Sequence, residues 1–296
     1  MEDITRLGRD ELTRVVRVAV VLAWSVLRRW APAAVGVARR ALRARLRGGH
    51  RPRDPGAGTR RARAVRLATE LSTVASEGLV DGFIALGPTF VKLGQVIASS
   101  PGIFPDWLAG PARRCLDEVP PFPAEEVRRT IEEDLGRPLG EVFASFDDVP
   151  LSAASIGQVH ACVLHDGREA VVKVQRPSIR EGMTRDLRVL HAIARAAQRT
   201  SWGRSANAVG MVEDLHALTH DELDPVVERT NQQTFRENLW AFGDNAWVTA
   251  PEVYEELCGA RTICMERVHG VPMDDFDEIR RRGVDGLLVL RRGAKA

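Results

Sequence analysis

The sequence predicts an α+β fold, a mostly helical chain carrying one small antiparallel sheet. Three observations predict it. Two strand-like runs, Gln158 to Leu164 and Glu169 to Gln175, flank an Asp166-Gly167 turn. Helix starts recur where proline sits beside acidic or capping residues, at Pro123, Pro177 and Pro225. The composition is rich in Ala, Arg and Val, with only 5% aromatic residues, and 296 residues suffice for one large domain or two smaller ones.

The elements follow in chain order. Residues 1–50 read as a basic, amphipathic helical arm. The formal net charge is +2, but residues 1–70 hold roughly 17 basic and 6 acidic side chains, which leaves the rest of the chain acidic. Val15 to Leu27 is mostly apolar, yet Arg17 interrupts it and Arg28-Arg29-Trp30 closes it before the roughly 20 apolar residues that a membrane span needs. Ala31 to Ala38 resumes the apolar character until Arg39-Arg40. An interfacial helix on anionic lipid fits this pattern; so does a helix pair packed on its own lobe. Glu2, Asp3, Asp10 and Glu11 ahead of the run argue against a signal peptide. The arm has little aromatic interleaving and no nucleic-acid motif, so nucleic acid is not an expected partner. Residues 51–59, with Pro52, Pro55, Gly56 and Gly58, read as a linker.

Gly87 to Gln95 places Lys92 inside an apolar helical stretch, where a lysine either snorkels to solvent or has an acidic partner. Pro123 to Leu135 is a helix with acids in its first turn. Ala153 to Gly157 precedes the hairpin. Small side chains there let backbone N–H groups approach an anion, and alanine is less permissive than glycine wherever φ is positive. An ordinary hairpin with a surface lysine, Lys173, is the other reading of this stretch. In residues 213–238, Glu222, Asp224 and Glu228 are candidate carboxylate partners for a phosphate-binding lysine. Asp224 can cap a helix beginning at Pro225, with Glu228 in its first turn; a solvated acidic helix is the alternative. His216 and His220 lack the acid that follows the first histidine of a zinc-protease motif and read as a surface pair. Cys115, Cys162, Cys258 and Cys264 form no CxxC pair, which points to a reducing compartment.

Taken together, these segments resemble the UbiB/AarF family of atypical, protein-kinase-like proteins, from about Leu67 to Gly270. The residues that carry the resemblance are Lys92, Gly94 and Gln95 (Lys-x-Gly-Gln); Ala153, Ala154, Ser155, Ile156, Gly157 and Gln158 (alanine-rich loop); Lys173 in Ala-Val-Val-Lys; Glu222 and Asp224 (Glu-x-Asp); Glu228; and a hinge at Met265-Glu266 with Gly270 just after. The resemblance implies a protein-kinase-like amino-terminal lobe at 144–270 under a helical, family-specific cap at 60–143. It implies that Lys173 contacts the α/β-phosphates of ATP and pairs with Glu228, and that Lys92 pairs with Glu222 across the site. The alanine-rich loop would cover the nucleotide, and Glu266 and Arg267 would meet the adenine edge. The implied activity is ATP binding and hydrolysis in support of isoprenoid-quinone (ubiquinone or menaquinone) biosynthesis or lipid homeostasis. Lipid or quinone intermediates and an anionic membrane are the implied partners. The location expected is cytoplasmic, peripheral on the inner face of the membrane.

Phosphoryl transfer also needs a catalytic Asp, a metal-binding Asn and a second metal-binding Asp. Val271 to Ala296, the expected start of a truncated C-lobe, contains no His-x-Asp with a downstream Asn and no Asp-Phe-Gly. Asp275-Phe276-Asp277 reads instead as a helix start. The sequence therefore leads us to expect a chain that holds ATP weakly without turnover, with magnesium bound only if a C-lobe is present. A non-catalytic membrane-associated scaffold, or a degraded pseudokinase paralogue, is the alternative.

Overall fold

A computed structural model describes residues 8–46, 60–100, 102–117, 120–241, 247–271, 273 and 275–295. The expected linker at 51–59 lies outside the described residues. The helices are α1 (Arg9–Leu46), α2 (Arg60–Leu86), α3 (Pro88–Ser99), α4 (Asp106–Ala112), α5 (Arg114–Asp117), α6 (Ala124–Leu135), α7 (Leu139–Val142), α8 (Ile179–Ala197), α9 (Ser201–Ser205), α10 (Ala208–Glu222), α11 (Pro225–Ala241), α12 (Phe276–Arg281) and α13 (Gly286–Lys295). The strands are β1 (Ser145–Ala153), β2 (Gly157–Val163), β3 (Glu169–Gln175) and β4 (Thr262–Glu266), antiparallel in the order β1-β2-β3-β4. The fold is thus α+β, helix-dominated with one small antiparallel sheet.

Two compact units form, residues 1–120 with 178–218, and residues 121–177 with 219–296. The sequence drew its boundary in chain order, between 143 and 144. Packing groups the chain differently, because α6 and α7 bury their apolar faces on the sheet while α8 buries its own among the first helices.

Among the described residues, the elements of the first unit are helices. Its core joins Val18 of α1, Val80 and Phe83 of α2, Phe90 and Ile97 of α3, Leu187 and Leu190 of α8, and Leu215 of α10. The arm is one continuous helix of 38 residues running through Pro32, as in the single-helix reading of the sequence and not the helix-pair one. It lies tightly against α2. A Cβ on Gly78 would fall 2.6 Å from Ser25 O, and one on Gly82 2.8 Å from Leu22 Cδ2. Two glycines one turn apart therefore open the seam that lets the helices close. Ion pairs fix the same face: Arg14 Nε to Asp186 at 2.6 Å, Arg188 to Glu11 at 3.1 Å, and Arg29 to Glu77 at 2.8 Å and to Asp81.

In the second unit α6 and α7 cover one sheet face. Val127, Ile131, Leu139, Val142 and Phe143 meet Cys162, Leu164, Ala170, Val172, Val174 and Cys264. Side chains alternate across a strand, so Val159, Ala161, Val171, Lys173 and Met265 share the opposite face, and all five are partly exposed. The β2–β3 connection corrects the expected two-residue turn. Leu164 N bonds Arg168 O and Gly167 N bonds Leu164 O, both at 2.9 Å, leaving three residues in the loop. Gly167 takes φ +87°, the left-handed position such a loop requires. The four cysteines are free thiols. His216, expected at the surface, is only 8% exposed, while His220 is exposed.

Candidate functional site

Lys173 projects from the middle of β3, opposite Val159 of β2 and Ile263 of β4. Its Nζ donates to both oxygens of Glu228, at 2.5 and 2.7 Å. The pair keeps 22% and 31% of its side-chain surface, so it is sheltered but reachable. The fork is charge-assisted on both oxygens, which favours a fixed geometry over a solvated lysine.

Three devices hold Glu228 there. Asp224 caps α11 by accepting from Val226 N at 2.9 Å and Val227 N at 3.4 Å, and Pro225 opens the first turn, which contains Glu228. On the next turns Arg229 Nη1 donates to Gly259 O at 3.2 Å, Gln232 Nε2 to Pro251 O at 2.9 Å, and Arg236 Nη1 to Ala250 O. The helix is thereby latched to the segment flanking β4. Sequence reasoning missed this latch, and the polar side chains at 229, 232 and 236 on one helical face were the signal that could have found it.

The alanine-rich loop is short and pinned. Ala154 N bonds Gly157 O at 2.8 Å, Arg176 N bonds Ile156 O at 2.9 Å, and Arg176 Nη2 reaches Ala154 O at 3.3 Å. Ala153 pairs with Gln158 across the loop, and Ser155 and Ile156 are buried. Gly157 has no alternative there: a Cβ would stand 2.5 Å from Val174 O. The Gln158 carboxamide turns inward, accepting from Phe122 N at 3.1 Å and donating to Phe122 O at 3.2 Å. Its side chain braces the approach to α6.

At the expected hinge, Glu266 N is bonded to Glu252 O at 2.8 Å and Arg267 N to Glu169 O at 3.3 Å. These two donors serve the protein's own backbone. A cleft of about 270 Å³ opens beside them, lined by Ser145, Asp147, Ala161, Val163 and Arg267 together with Phe146 and Cys162.

Lys92, partly buried on α3, belongs to the first unit, with Gln95 on the same helix donating to Cys115 O at 3.0 Å. Gly94 between them lies so close to α5 that a Cβ would stand 2.3 Å from Cys115 Sγ. Glu222 ends α10 and Asp224 follows it, both in the second unit.

For a resident magnesium the donor set does not fit. Among the described residues no three His, Cys, Asp or Glu side chains converge, Glu228 is committed to Lys173, and Asp224 to its cap. Asp275 likewise caps α12, accepting from Glu278 N at 3.0 Å.

A lysine on an inner strand, paired with a helical glutamate beside a half-open sheet face, is the central feature of this mixed α+β fold, and the arrangement is consistent with a kinase-like lobe. The chain belongs to the ABC1 family of atypical kinase-like proteins, the UbiB/AarF type, since residues 114–296 match the family model described as the ABC1 atypical kinase-like domain. It is 38% identical over 209 residues to an uncharacterized Mycobacterium tuberculosis protein, Rv0647c, covering 71% of this chain and 43% of that one. It is also 38% identical over 211 residues to the "Probable protein kinase UbiB" of Pseudomonas putida F1, covering 71% of this chain and 38% of that one. A solved structure of M. tuberculosis Rv3197 with erythromycin matches at 30% identity and a TM-score of 0.45, over 76% of this chain and 53% of that one. The chain thus spans about two fifths of the length of these curated relatives.

Proposed function

We propose that the Lys173–Glu228 face is an adenine-nucleotide site, in a protein that supports isoprenoid-quinone biosynthesis or lipid homeostasis at an anionic membrane surface. The observation that carries this reading is the forked Lys173–Glu228 contact at 2.5 and 2.7 Å beside the half-open apolar patch of Val159, Ala161, Val171 and Met265. Lys173 would hold the α/β-phosphates while Glu228 keeps its ammonium in place. Val159, Ala161, Val171 and Met265 offer an apolar floor for a purine. With the N–H groups of Glu266 and Arg267 already bonded, the base would be met by the Glu266 carbonyl and by backbone beyond Arg267. The loop from Ala153 to Gln158 would lie over the phosphates. Gln95 would set the helix that carries Lys92. The family membership supports this assignment, as does the name of the Pseudomonas relative. The location proposed is cytoplasmic, peripheral on the inner membrane face, with lipid or quinone intermediates as the molecules served.

Titration of the full chain with a fluorescent ATP analogue tests the site. Lys173→Ala is expected to weaken binding about tenfold or more, since a hydrogen bond to a charged group contributes about 1.5–3 kcal/mol. Glu228→Gln should weaken it less. Affinity should be the same with magnesium or with a chelator, and ATP should not be hydrolysed. Unchanged affinity in both variants would refute the site. Magnesium-dependent hydrolysis abolished by Lys173→Ala would overturn the expectation of no turnover.

A further inference from the structure

We propose that the outward face of α1 is an interfacial docking surface for an anionic lipid bilayer, the helix lying in the plane of the membrane. This names the surface behind the membrane association proposed above, and it stands on α1 alone, independent of the nucleotide site.

The argument begins with what α1 presents to solvent. At 3.6 residues per turn, Leu12, Val16, Val20, Ala23 and Leu27 fall on one face, all exposed, with Val16 at 62%. Trp24 and Trp30 edge this stripe, at 64% and 40% exposure, and Ala34 and Ala38 continue it. Val18, Leu22 and Arg29, which bind the rest of the first unit, lie on the opposite side. From residue 12 to 38 the only exposed polar residues are Thr13 and, along one flank, Arg17 and Arg28. A surface helix in water shows the reverse pattern, its polar side outward. An exposed apolar strip of this length marks an interaction surface.

Charge decides what kind of partner fits. Arg17, Arg28 and Arg39 are all exposed and stand along one flank of the stripe, spaced 11 residues or about 16 Å apart. The strip has guanidinium groups along one margin and tryptophans at its edges. Those are the features by which a helix lies in the headgroup boundary, apolar side down and arginines among lipid phosphates. By length and composition Glu11–Arg40 could instead cross a membrane, with a mean hydropathy of 1.4. The inner face forbids it. Arg14 is bound to Asp186, Glu11 to Arg188, and Arg29 to Glu77 and Asp81, so a spanning α1 would have to drag α2, α8 and these charges into hydrocarbon.

Vesicle flotation of the full chain tests the proposal, with phosphatidylcholine vesicles against vesicles containing phosphatidylglycerol. The wild-type protein is expected to float only with the acidic lipid and to be released by salt. A Val16→Asp/Leu27→Asp variant should abolish flotation. An Arg17→Gln/Arg28→Gln/Arg39→Gln variant should lower vesicle affinity on the order of a hundredfold. Both sets of side chains are exposed, so the melting temperature and the affinity for the ATP analogue should stay at wild-type values, which separates this proposal from the nucleotide site. Three results would each overturn it: equal flotation with neutral vesicles, unchanged binding by both variants, or retention after a carbonate wash, which marks a spanning helix. A dimer in solution that the aspartate variant dissociates, without vesicle binding by the wild type, would assign the face to a second copy instead.

Discussion

Gly94 decides how closely α3 and α5 can approach. Replacing it with alanine helps the helix intrinsically by up to about 1 kcal/mol. It also drives a Cβ to 2.3 Å from Cys115 Sγ and 2.9 Å from Cys115 Cβ. Overpacking of that kind costs about 1–3 kcal/mol, so the clash wins. Gly94→Ala is expected to lower the stability of the first unit by about 1–2 kcal/mol in a urea melt, and Cys115→Ala in the same chain should restore part of it. Full stability in the single variant would show that α5 yields freely. In the sequence this glycine was legible only as one letter of Lys-x-Gly-Gln. The neighbour that demands it is some twenty residues away, and no local pattern names it.

At the scale of elements, α11 shows how a cap reaches a functional side chain. Asp224→Ala removes the acceptor for Val226 N and Val227 N and should cost about 1 kcal/mol. Because Glu228 lies in that first turn, the same change should also weaken binding of the ATP analogue, while leaving Lys173 in place. Stability lost without any change in affinity would separate the helix start from the site. The α1–α2 hairpin makes a different prediction, in pH. Burial pushes the Asp81 carboxyl upward, but hydrogen bonds from Arg29 and Arg114 outweigh it and hold the folded value below 3.8. A depressed folded pKa contributes stability that is present above the unfolded value and is lost as pH falls through the folded one. Thermal melts should therefore fall off in acid below 3.8, and Asp81→Asn should flatten that slope. Since Asp81 and Arg29 keep about a third of their side-chain surface, the neutral-pH cost should be only about 1 kcal/mol. An unchanged acid slope in Asp81→Asn would place the pH dependence elsewhere. The helix start at Pro225 and the strand Glu169–Gln175 were readable in advance, because proline, the aspartate cap and strand alternation are local signals.

For the whole molecule, each unit has its own apolar core, and the chain passes between the two at 120–121, 177–178 and 218–219. Two unfolding steps are expected. Gly94→Ala should shift one of them. Asp134→Ala should shift the other, because its carboxylate, only 6% exposed, accepts from Ala260 N at 3.1 Å, Arg261 N at 2.8 Å and Thr262 Oγ1 at 2.8 Å. Losing that clamp should cost about 2–3 kcal/mol. One transition moved equally by both variants would show that the units unfold together.

By itself the sequence determined the class of fold, the β2–β3 hairpin, the capped start of α11 and the pairing of a strand lysine with a helical glutamate. Each is written in short-range spacing or in a family motif that lies along the chain. Only the tertiary structure decided that α6 and α7 belong with the sheet while α8 joins the helices of the first unit, that Gln158 faces Phe122, and that α1 is one helix that buries Val18 and turns a second apolar face outward. An amphipathic pattern states that a helix has two faces. Which face is buried depends on partners far away in sequence, here the glycine seam of α2 and the acids Glu77, Asp81 and Asp186 that hold the arginine side of α1 inward.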